Sequence, residues 1–175
     1  MKRTILIFAA AIATSSAWAQ MPELEPSPEL KKMSWMMGEW SGTGTFVIPD
    51  VPEMDVTISF KAEWDGQFLK QTAINDFGMM QMTETMLLGY DPDKAEYVSY
   101  GFSNIAPKPR IEHGKLNGDA LVMVSEPWST MGQEPMVSRS TMTKVDDDTV
   151  KMKLEFKMGD NWTVVTDMTF KRKKA

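Results

Sequence analysis

The chain has 175 residues, 19 of them basic and 24 acidic, with a formal net charge of −5, no cysteine and 17 methionines. An acidic chain is poorly suited to nucleic acid or anionic lipid, whose phosphates are held by basic patches. Without cysteine there is no thiol nucleophile, no zinc–thiolate site, no disulfide and no lipid-modified cysteine anchor.

The N-terminus reads as a secretory signal. Lys2 and Arg3 precede an apolar run at residues 5–12 (ILIFAAAI), and Ala17-Trp18-Ala19 before Gln20 has small residues at the spacing signal peptidase recognises. Cleavage after Ala19 is expected, which sends the mature chain to the periplasm or outside the cell. The apolar run is shorter than the ~20 residues of a spanning helix, so no membrane anchor is expected. The first 19 residues hold two of the basic residues and none of the acidic ones, which leaves a mature net charge of about −7. Residues 20–27 (QMPELEPS), rich in Pro and Glu, read as a linker. Residues 28–175 read as one domain, long enough for a core of its own.

In chain order, Ser27 caps a short helix at about 28–37, with Pro28 in its first position and Leu30, Met33 and Met37 on one face. Gly38 ends it. The period then changes from near four to two. Strands are predicted at 39–48, 54–64, 67–76, 79–90, 95–103, 110–116, 120–126, 136–145, 150–158 and 162–171. Between them lie turn signals such as Asp65-Gly66, Asp91-Pro92-Asp93, Asn117-Gly118 and Gly159-Asp160-Asn161. Alternation is cleanest at 150–158: Val150, Met152, Leu154, Phe156 and Met158 share one side, with Lys and Glu on the other.

About ten strands of even length on short turns make an all-β antiparallel up-and-down meander. Closing it into a barrel removes both sheet edges. A sandwich is the competing arrangement. No second helix is predicted, which excludes parallel α/β folds.

The order Met37-Gly-Glu-Trp-Ser-Gly-Thr-Gly44, Glu63-Trp-Asp-Gly-Gln-Phe-Leu69 and Leu88-Gly-Tyr-Asp91 resembles a bacterial domain-of-unknown-function family assigned a calycin barrel, of the lipocalin and fatty-acid-binding type. The resemblance runs from about 30 to 172 and brings no activity with it. It implies that a helical turn plugs one end of the barrel and that Gly38 allows the turn into the first strand. It also implies that Trp40 fills the closed end and that Arg172 packs across the indole; the alternative for Arg172 is a solvated place in a basic tail. Trp40-x-Gly42-x-Gly44 is also distantly similar to the nitrobindins, ten-stranded haem barrels whose iron is held by a histidine near the C-terminus. Residues 162–175 contain no histidine; the only one is His113.

Catalytic signals are sparse. There is no Gly-x-Ser-x-Gly, no phosphate loop and no His-x-x-x-His pair, so neither catalytic residue nor cofactor is assigned. His113 reads as a base or a metal ligand on one view, and as an exposed strand residue on the other. The methionines read in two ways. Met80, Met82 and Met86 share one side of a strand, and thioethers are soft ligands for Cu(I) or Ag(I). Methionine also fills adaptable apolar interiors. The reading carried forward is non-catalytic binding of a small apolar or amphipathic molecule in the barrel. Its walls are assigned to Phe60, Trp64, Met80, Met82, Met152, Phe156 and Trp162. Its polar groups are assigned to Glu84 and to Arg139, which either anchors a ligand or pairs with Glu84. On the opposite phase of that strand, Met136 and Met142 face inward instead. A ligand-free structural or interaction module, and a hydrolase or isomerase working through His113 or an inward carboxylate in a cleft, are the remaining alternatives.

Overall fold

The computed structural model describes residues 24–49, 51–130 and 133–174. The expected signal peptide and the first part of the linker lie outside the described residues. Ten antiparallel strands form a closed barrel: β1 (Gly38–Phe46), β2 (Met54–Asp65), β3 (Phe68–Asp76), β4 (Gln81–Asp91), β5 (Glu96–Ser103), β6 (Arg110–Asn117), β7 (Ala120–Ser125), β8 (Ser138–Asp146), β9 (Thr149–Met158) and β10 (Asn161–Arg172). Each pairs with its neighbours in sequence, and β1 pairs with β10 to complete the ring. The all-β barrel read from the sequence is therefore the fold, with strand limits that differ by one or two residues.

The helix at the N-terminus is shorter than its expected span. It runs only over α1 (Pro28–Lys31), where the Ser27 hydroxyl accepts from the Leu30 amide at 3.1 Å. A 3₁₀ turn follows at Ser34–Met36. Three residues per turn bring positions i and i+3 onto one line. Leu30, Met33 and Met36 are consequently the buried ones, and Met37 stays partly exposed.

This segment closes one end of the barrel. Leu30, Met33 and Met36 pack on Ala62, Leu69, Leu88, Tyr97, Leu121 and Met123. Each fully buried side chain of this size contributes roughly 1.5–3 kcal/mol. The Tyr97 hydroxyl donates to the Glu29 carbonyl at 2.8 Å and ties the plug to β5. Gly38 turns the chain into β1 at φ +102°, and a Cβ there would lie 2.8 Å from Arg172 Nη1. Only glycine meets both conditions.

Trp40 is fully buried just above the plug, and its indole N–H donates to the Met36 carbonyl at 2.8 Å. The Arg172 guanidinium lies 4.2 Å over its ring. Arg172 also donates from Nη2 to the Trp35 carbonyl at 3.1 Å, from Nη1 to the Met37 carbonyl, and from Nε to the Asp147 carbonyl at 2.9 Å. One side chain thus ties the plug, the first strand, the last strand and the β8–β9 turn together. Phe60 stacks on Trp40 and meets Phe170 edge-on, which extends the packed core toward the middle of the barrel.

Candidate ligand cavity

Beyond this packed end the barrel is hollow. A cavity of about 330 Å³ opens toward the end that carries the β1–β2, β3–β4, β5–β6 and β7–β8 connections. That volume is at the lower end of small-molecule sites. Its wall is mostly apolar, and nine of its lining residues are methionines. The strand pleat explains this wall. On β4, Met82, Glu84, Met86 and Leu88 alternate inward, continuing the phase of Met80 just before the strand. On β9, Met152, Leu154 and Phe156 do the same.

Among the described residues, one cluster of charges interrupts the wall, beside uncharged polar residues such as Gln71, Asn75 and Thr166. Arg110, the first residue of β6, reaches Glu84 on β4 with Nη2 2.9 Å from the carboxylate. Glu112, two residues along β6 and so on the same face, stands 3.6 Å from Arg110 Nε. Trp128 covers the guanidinium, with its ring centroid 5.1 Å away, and its indole N–H donates to Ser138 at 3.2 Å. The Met86 sulfur accepts from Arg110 Nη2 at 3.5 Å. The strand between β4 and β6 makes room for this: Gly101 pairs with Met86 on one side and Arg110 on the other. A Cβ at Gly101 would lie 2.9 Å from the Glu84 carboxylate.

Burial dominates the electrostatics. It pushes the Glu84 carboxyl above the usual carboxylate range; Arg110 opposes the shift and Glu112 adds to it. Burial also works against the Arg110 charge, but the carboxylates of Glu112 and Glu84 outweigh it and hold the guanidinium firmly protonated.

Among the residues expected to form the site, Phe60, Met80, Met82, Glu84, Met152 and Phe156 line the cavity, as does Met86. Three residues stand elsewhere. Trp64 packs against the closed-end core, below the cavity. Arg139 is not in the wall, and it does not pair with Glu84. On β8 it is Ser140 and Met142 that line the cavity, so Arg139 takes the other face. There it makes a two-pronged bond to Glu155, at 2.7 and 2.8 Å, and lies 4.4 Å over the Trp162 ring. Trp162 is outside for a related reason. Counting back in twos from Phe170, Met168 and Thr166 turns it inward, but a bulge between Val164 and Thr166 shifts the phase. Thr163, not Trp162, is then opposite inward-facing Phe156.

Arg110 and Glu112 went unassigned from the sequence. The available signal was Leu116: two-residue steps back from this apolar residue put Gly114, Glu112 and Arg110 on its side of β6. Opposite charges in phase with a core residue mark a buried pair.

His113 takes the outer face of β6, with Nδ1 3.0 Å from Glu96 and Nε2 3.3 Å from Glu126. It does not line the cavity, so the cavity wall offers no histidine for a haem iron. Among the described residues, no three His, Cys, Asp or Glu side chains are grouped to hold a metal ion. Of the three candidate thioether ligands, Met86 already faces the Arg110 cation, which opposes a second cation there.

A family model described as "Protein of unknown function (DUF1579)" matches residues 25–172, the plug and the whole barrel. No curated protein matches the chain. Among solved structures, the crystal structure of Rv2717c from M. tuberculosis is similar at 15% identity and a TM-score of 0.62, covering 86% of this chain and 100% of that one. At that identity the likeness is one of fold.

Proposed function

The chain belongs to the family described as protein of unknown function (DUF1579), and from its own geometry we propose that it is an exported, non-catalytic carrier or sensor of a small apolar or amphipathic molecule. The observation that carries this reading is the cavity of about 330 Å³ with apolar walls and a single buried cluster of charges. Sparse polar atoms in an apolar pocket are what such sites use to orient a ligand. The methionine walls suit a binder that adapts to its guest. Export rests on the N-terminal signal pattern. A calycin-type relationship fits the plugged ten-stranded barrel and is part of the same proposal.

The test is native mass spectrometry of the protein purified from the periplasm without denaturation. The expected spectrum carries an added mass of a few hundred daltons that is lost on unfolding. A bare protein mass, together with no gain in melting temperature from any of a panel of apolar compounds, contradicts the proposal. An adduct at the mass of copper or silver replaces it with soft-metal binding.

A further inference from the structure

The charges in the cavity do not balance, and the imbalance constrains the ligand. Arg110 is one cation facing two carboxylates, those of Glu84 and Glu112. Its Nη2 is already directed at Glu84 and at the Met86 sulfur. Its Nε is buried without a hydrogen-bond partner among the described residues, and Glu112, at 3.6 Å, is beyond hydrogen-bond reach. A cluster that serves only to hold a barrel together closes its own bonds, because an unmet polar group in a low-dielectric interior is costly. This one stays open, in the wall of the cavity. What it has in surplus is acceptor capacity: the two carboxylates together offer about eight lone-pair sites, against the five N–H donors of one guanidinium.

Resting on the proposed binding role, we propose that the ligand's polar end is a hydrogen-bond donor without negative charge, an alcohol or an amine, and not a carboxylate. A hydroxyl or ammonium group donates to Glu112 or Glu84 and leaves Arg110 where it is. A carboxylate has to approach a cluster in which carboxylates outnumber the cation two to one, in an apolar enclosure that strengthens the repulsion. It would also have to compete with Glu84 and the Met86 sulfur for Arg110 Nη2. An arginine inside a barrel is often a mark of anion binding, but here the two glutamates cancel that role. Gly101 supports this assignment. The glycine is what allows Glu84 to come up against Arg110, so the neutralising carboxylate is built into the wall.

The experiment compares three probes with one ten-carbon tail: 1-decanol, decylamine and decanoate. Each is titrated calorimetrically into the full mature protein at neutral pH. Decanol and decylamine are expected to bind at least tenfold more tightly than decanoate. In Glu112→Gln, and separately in Glu84→Gln, each checked for folding by thermal melting, the gap between decanol and decanoate is expected to narrow by several-fold. Decanoate binding as tightly as decanol, or more tightly, overturns the head-group assignment and leaves the binding role standing. An unchanged gap in both folded variants also overturns the assignment. Failure of all three probes, with a bare mass in the native spectrum, removes both.

Discussion

Arg110 and Glu84 meet 2.9 Å apart inside the barrel, on strands separated by a glycine. Removing the guanidinium leaves two carboxylates in the interior without a cation. Breaking a buried pair in this way costs about 3–5 kcal/mol, because the remaining charge is uncompensated. Arg110→Met is expected to lose stability on that scale in urea denaturation at neutral pH, and to recover part of it when Glu84→Gln is added. Equal losses in the single and double variants would mean that the two side chains are not coupled.

The same pair sets a pH dependence. The folded Glu84 carboxyl has its pKa above the ordinary value of 4.5, with burial the main cause. The folded protein therefore holds this proton more readily than the unfolded chain. Its contribution to stability declines as pH rises from the ordinary value through the raised one. Glu84→Gln removes the titrating carboxyl, and the variant should lose less stability than the parent as pH rises above the ordinary carboxylate value. Parallel stability curves would contradict the shift.

Arg139 behaves differently because it is outside the cavity. Its two bonds to Glu155 and its place over Trp162 make it a brace between β8, β9 and β10. Arg139→Ala is expected to cost about 1–2 kcal/mol at neutral pH and to leave probe affinity unchanged. The Arg139 hydrogen bond holds the Glu155 carboxyl below its ordinary pKa, so this contribution is present above that value and lost as pH falls through the lowered one. The gap between variant and parent should close in acid. A fall in calorimetric affinity would place Arg139 in the binding machinery after all.

Arg172→Lys probes the closed end. Lysine keeps the charge but has no planar fork to reach several carbonyls while lying over Trp40. A loss of about 1–3 kcal/mol is expected by chemical denaturation. No loss would make the guanidinium geometry incidental.

Much of the fold was legible because each strand repeats one rule. Val150 to Met158 alternates without interruption, and most of the turns carry glycine or Asp-Pro where the chain reverses. The inward phase of β4, which sets Glu84 in the wall, was legible for the same reason. The misplacements came where alternation is locally ambiguous or broken. On β8, apolar residues occur on both phases, at Met142 and Val145, so the side taken by Arg139 had no local marker. On β10, the bulge changes the phase between Thr166 and Trp162 and leaves no trace in composition. The partner of Glu84 depends on β4, β5 and β6 lying side by side, with Gly101 between; that is a relationship of register across three strands. The helix ended early for a local reason: three-residue spacing buries Met36, where a continuous α-helix turns Met37 inward.

The central claim is that a small molecule enters the methionine-walled cavity. Methyl-labelled methionine NMR of the protein, titrated with 1-decanol, reads that cavity directly. Met82, Met86, Met142 and Met152 line it, whereas Met79 is 94% exposed just outside β4. Saturable shifts at these four of the lining methionines, with Met79 unmoved, are the predicted result. Absence of saturable shifts at the lining methionines, or shifts confined to Met79, would contradict binding inside the barrel.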